Sequence, residues 1–137
     1  MKFKAALVAG LLLAPQGLLA QIDTRTACDF EDIKDFVAWF KGSAENQKSA
    51  TSDPLEAAFD EYDERGKKLE LEFEPHKHDE LGWPILPHLV GDWKETYVIV
   101  DDDTVEYYTT GGMLYNHYFL FKRQPCWTLV KFAHDRL

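Results

Sequence analysis

The side chains of this 137-residue chain that could do chemistry are its five histidines, two cysteines and a group of aromatic residues in its second half. His76-Lys77-His78-Asp79 is the most metal-like cluster. On a strand, alternate residues share a face, so His76 and His78 could address one ion, with Asp79, Glu80 or His88 completing the site. Pro75 and the neighbouring charges point instead to an exposed loop, and a metal site needs a third and fourth ligand. No metal or other cofactor is expected. Asp101-Asp102-Asp103 starts like a calcium loop but lacks the spaced oxygen ligands and closing glutamate, so a polar hairpin turn is expected.

Tyr97, Tyr107, Tyr115, His117 and Trp127 fall on strand-like segments and are the candidates for lining a pocket. Glu106, between Val105 and Tyr107, is expected on the solvent side. His117, between Asn116 and Tyr118, has the chemistry of a general base, but a hydrogen-bonded structural role is the expectation. Spacing assembles no nucleophile–base pair. There is no Gly-x-Ser-x-Gly, and Gly111-Gly112 alone makes a turn and not a phosphate loop. Catalytic residues are therefore not assigned.

What must position these groups begins with the amino terminus. Met1-Lys2-Phe3-Lys4 precedes an uncharged run from Ala5 to Ala20, the pattern of a cleavable secretory signal. Gly10, Pro15, Gln16 and Gly17 interrupt the run, which disfavours a membrane anchor. Removing residues 1–20 from 137 leaves 117, enough for one domain and one modest core. Loss of Lys2 and Lys4 takes the formal charge from −9 to −11. Such acidity excludes nucleic acid held through its phosphates and disfavours anionic membrane surfaces. In an oxidising compartment Cys28 and Cys126 are expected to pair; two buried thiols are the alternative.

Phe30, Ile33, Val37 and Phe40 recur at helical spacing from Asp29 onward, with Asp29, Glu31 and Asp32 in the first turn and Gly42 at the end. Ser43 caps a second helix running to Ala50, which makes a helical hairpin. Residues 52–62 read either as a helix begun by Pro54 or as a strand joined through Asp63-Glu64-Arg65-Gly66 to the next segment. There Leu69, Leu71 and Phe73 alternate with Glu70, Glu72 and Glu74, which predicts a half-buried strand over 67–74. An ordered connection follows around Trp83-Pro84-Ile85-Leu86. Strands are then expected over 96–100, 104–109, 114–122 and 127–132. Helices first and hairpin-linked strands after predict an α+β domain with an antiparallel sheet.

Several segments in this order resemble the nuclear transport factor 2-like superfamily, and within it an uncharacterised family of exported bacterial domains. They are Phe36-Val37-Ala38-Trp39-Phe40, Gln47 through Thr51 to Asp53-Pro54-Leu55, Trp83-Pro84-Ile85-Leu86-Pro87, Tyr118-Phe119-Leu120-Phe121-Lys122-Arg123, and Cys126-Trp127-Thr128-Leu129-Val130. The resemblance spans nearly all of residues 21–137. It implies a cone-like, cystatin-like curved sheet packed on the helical hairpin, and favours a strand entrance at Asp53-Pro54-Leu55. It brings no catalytic residues. The expectation is an exported, periplasmic or secreted binding or accessory domain, with a small molecule or a protein as partner. The alternatives are a small pocket enzyme of isomerase or dehydratase type, and an immunity protein against a basic toxin.

Overall fold

Five large apolar side chains within eight residues decide where the first helix forms. Helix α1 (Ile33–Phe40) buries Ile33, Phe36, Val37, Trp39 and Phe40 on one side. The computed structural model describes residues 23–86, 93–111 and 115–136. The expected signal at 1–20, together with Pro87, His88 and Gly112, lies outside the described residues.

The helix starts later than its apolar pattern begins. Asp29 belongs to a separate 3-10 turn, Ala27–Asp29. Asp32 is the true cap, its carboxylate accepting from Lys34 N at 2.8 Å and Asp35 N at 3.2 Å. An aspartate in that position satisfies amides that the first turn leaves without partners. Helix α2 (Ala44–Ser49) is capped by Ser43, whose hydroxyl accepts from Asn46 N at 3.0 Å.

The chain then enters β1 (Thr51–Phe59), so the strand reading of this segment holds and the helix reading does not. Pro54 lies in the stretch between Thr51 and Glu56 where the register shifts, a place that tolerates a missing ladder donor. The strand expected over 67–74 is not found. Only a bridge between Tyr62 and Lys68 and the short β2 (Glu74–His76) occur there. Leu69 and Phe73 stay exposed, because alternation alone supplies no neighbour to cover them. The turn that precedes them is as expected: Gly66 has a φ of 76°, and Asp63 accepts from Arg65 N and Lys67 N.

Four long strands complete the sheet: β3 (Lys94–Asp101), β4 (Thr104–Gly111), β5 (Tyr115–Arg123) and β6 (Trp127–Arg136). The order is β2-β1-β6-β5-β4-β3. The sheet is mixed and not antiparallel throughout, since β1 runs parallel to β6. Both hairpins to either side of β5 are antiparallel, but β1 returns to the far side of the last strand. Together with α1 and α2 this is an α+β architecture. Among the described residues no helix is long and apolar enough to cross a membrane.

Phe36 and Phe40 each meet Phe121 edge-on at 5.3 Å between ring centres, which docks α1 on the inner face of the sheet. Tyr107, Phe119, Phe121, Leu55 and Leu129 are fully buried beneath it. Cys28 and Cys126 form a disulfide that ties the amino-terminal 3-10 turn to the turn before β6.

Candidate functional site

Strand register decides which side chains meet on the inner face. Glu95 pairs with Thr109, Thr109 with His117, His117 with His134, and His134 with Phe59. These five residues therefore form one row across β3, β4, β5, β6 and β1. The next row, Tyr97–Tyr107–Phe119–Phe132–Ala57, is aromatic for most of its length and fills the core.

The row containing the histidines floors a cavity of about 490 Å³. Phe59, His117, Phe132 and His134 come from the sheet; Leu81, Gly82, Pro84 and Ile85 come from the connection after β2; Trp93 closes one side. The two imidazoles lie parallel, 4.8 Å apart and within 7° of coplanar orientation. Thr109 Oγ1 and His117 Nδ1 are hydrogen-bonded at 3.1 Å in buried surroundings. Phe132 stacks on His117 at 6.2 Å and Trp93 tilts over it at 5.8 Å.

Burial first, and the neighbouring His134 second, push the His117 imidazole down to about pH 4. The neutral ring is thus the form that folding favours. The unfolded chain takes up this proton near 6.5 and the folded protein only near 4, so stability is lost as the pH drops through that interval. Above 6.5 the contribution is complete. In a pH series of denaturant midpoints, wild type is expected to lose up to about 3 kcal/mol more than His117→Phe between pH 6.5 and 4. Equal pH profiles for the two proteins would contradict this placement of the ring.

One polar residue holds the outer wall of the cavity. Gln47 is 1 % exposed, and its amide makes a two-point bond to Leu86, Nε2 donating to Leu86 O at 3.0 Å and Oε1 accepting from Leu86 N at 2.8 Å. A glutamine on a short helix thereby mimics a backbone partner for a segment that has no strand neighbour. Gln47→Ala would leave both groups of Leu86 unpaired, which costs about 2–3 kcal/mol for buried amides. The expected readout is a lower unfolding midpoint and faster hydrogen exchange at the Leu86 amide.

The other sequence candidates are placed elsewhere. Tyr107 is buried and donates its hydroxyl to Glu95 Oε1 at 2.5 Å, where Lys41 Nζ also lies at 2.5 Å. Burial acts to raise the Glu95 pKa, but the bonds from Lys41 and Tyr107 outweigh it and hold the carboxyl below its usual value. Burial and Glu95 push the Tyr107 phenol far up; Tyr97, half-buried against it, is pushed up to about 12 by burial, Glu95 and Asp32. This cluster clamps the end of α1 to β3 and β4. Trp127 packs on Phe36 beside the disulfide, and the side chain of Tyr115 lies outside what is described. Glu106 accepts from the Tyr108 hydroxyl on the opposite face of the sheet.

His76 sits on β2 with its ring edge-on to Phe59 at 5.5 Å. His78 is in a 3-10 turn, and its Nε2 is 3.0 Å from the carbonyls of Thr51 and Ser52. No group of three or more histidine, cysteine, aspartate or glutamate side chains suited to a metal occurs among the described residues. Asp101-Asp102-Asp103 makes the β3–β4 turn, with Asp101 accepting from Asp103 N at 2.8 Å.

Of the cavity residues only His117 is a pocket candidate from sequence. Phe59, Phe132 and His134 become neighbours through register between distant strands, and Trp93 reaches them from just before β3, which no local spacing displays. Comparison with protein-family models, with curated proteins and with solved structures finds no match.

Proposed function

We propose that this chain is an exported binding or accessory domain whose ligand is a small, largely apolar molecule held in the inner-face cavity, and that it carries out no reaction. The observation that carries this reading is the cavity itself, about 490 Å³ of space walled mainly by Phe59, Pro84, Ile85, Trp93 and Phe132. Spaces of roughly 300–1,000 Å³ with apolar walls and a few fixed polar groups are the usual form of small-molecule sites. Two imidazoles provide the polar part here.

In the cone-like reading drawn from the nuclear transport factor 2-like resemblance, the cavity is the open mouth of the cone. The disulfide and the acidic composition fit a periplasmic or secreted protein, though the signal that would take it there lies outside the described residues. The isomerase or dehydratase alternative would use the same space with His117 as base. It is less favoured because neither a carboxylate nor a tyrosine stands among the described lining residues. The immunity-protein alternative rests on net charge alone.

The test is titration with N-phenyl-1-naphthylamine, a neutral fluorophore. Saturable one-to-one binding is expected, and Ile85→Trp, which fills the space from its wall, is expected to abolish it while leaving Tm within a few degrees. Absence of saturation, or equal binding by the filled variant, would overturn the proposal.

A further inference from the structure

The hydrogen bond at the floor of the cavity carries information about what the cavity takes. Thr109 is fully buried, and its hydroxyl must place one proton. Its hydrogen-bond partner among the described residues is His117 Nδ1, 3.1 Å away. A buried hydroxyl whose proton finds no acceptor forfeits the desolvation of that group. Thr109 therefore donates and Nδ1 accepts, and in a neutral imidazole an accepting Nδ1 leaves the proton on Nε2. His117 lines the cavity, and among the described residues Nε2 has no hydrogen-bond partner. In this tautomer Nε2–H is the donor that His117 offers to the cavity it lines.

The rest of the wall limits the occupant further. Phe59, Phe132 and Trp93 present ring surfaces, and the stacked His117–His134 pair adds a flat polar one. No acidic side chain stands among the described lining residues, so a cation would enter without a counter-charge. We propose that the cavity binds an uncharged, flat ring compound bearing an oxygen acceptor, an aryl ketone or ester, with that oxygen on His117 Nε2–H. This rests on the reading of the cavity as a ligand site and adds the ligand's class and orientation.

The experiment compares naphthalene with 2-acetonaphthone by calorimetric titration of wild type, His117→Phe and Thr109→Val. The two probes share a ring body and differ by one acceptor. For the ketone, Kd is expected to rise roughly 3–10-fold in His117→Phe, the range of one hydrogen bond. Naphthalene should change less than twofold, and Thr109→Val, which frees the tautomer, should give an intermediate loss for the ketone alone. Independently of any variant, long-range 15N–1H spectra of the wild type are expected to show a protonated Nε2 and an unprotonated Nδ1 on His117. Equal losses for both probes, or a protonated Nδ1, would overturn the donor assignment while leaving the ligand site intact. Failure of both probes to bind wild type would overturn the site itself.

Discussion

Replacing Cys28 and Cys126 together by serine is expected to lower the unfolding free energy by about 4 kcal/mol and Tm by roughly 15 °C. The bridge joins residues 98 apart in sequence, so it closes nearly the whole described chain into one loop. Loops of this size restrict the unfolded chain most, and the gain grows only slowly beyond them. The native side should change little, because other contacts hold the same junction. Trp127 Nε1 reaches the Glu31 carbonyl at 3.4 Å, the Arg123 guanidinium donates to that same oxygen, and Arg123 lies over the Trp127 ring at 4.7 Å. The serine variant is therefore expected to fold with the same far-ultraviolet spectrum and to unfold at lower denaturant. An unchanged midpoint would contradict the assignment of the bridge as a main constraint.

Phe36→Ala is expected to destabilise by about 4 kcal/mol. Phe36 is fully buried and its ring meets Phe30, Trp39, Phe40, Phe121 and Trp127, all within 6.4 Å between centres. These neighbours come from α1, the lead before it, β5 and β6, so their relaxation into the vacated space is limited. Phe36→Leu keeps much of the volume and is expected to lose less than half as much. Denaturant unfolding of the two variants checks the ordering. A Phe36→Ala loss near 1 kcal/mol would mean that α1 does not sit on Phe121.

Local patterns reveal a good part of this architecture. The four final strands are legible because Thr96–Val100, Val105–Tyr107, Tyr118–Phe121 and Trp127–Val130 are branched or aromatic and separated by Asp-rich, Gly-rich or Pro-containing turns. Ser43 is readable as a cap, and the Cys28–Cys126 bridge follows from the expectation of export. The mixed sheet is not legible in this way. Its parallel contact joins the first long strand to the last, and nothing in either segment encodes a partner some 75 residues away.

The stretch 67–74 shows the converse. Its alternation is cleaner than that of β1, yet burial comes from neighbours, and β1 pairs with residues 74–76 and with β6 instead. Site residues divide similarly. His117 stands out as a histidine among aromatic strand residues, whereas Phe59 and Phe132 look like ordinary core. Gln47 looks like a solvated helix residue, and only the two free groups of Leu86 explain its burial.

The claim that matters most is that the space floored by His117 and His134 is where a ligand sits. Two-dimensional 1H–13C spectra of labelled protein, titrated with N-phenyl-1-naphthylamine, test it most directly. Shifts are expected at the Ile85 and Leu81 methyls and at the Phe59, Phe132 and His117 rings, saturating together at one equivalent. Shifts centred instead on Trp39 and the helix side of the molecule, or none at saturating probe, would contradict it.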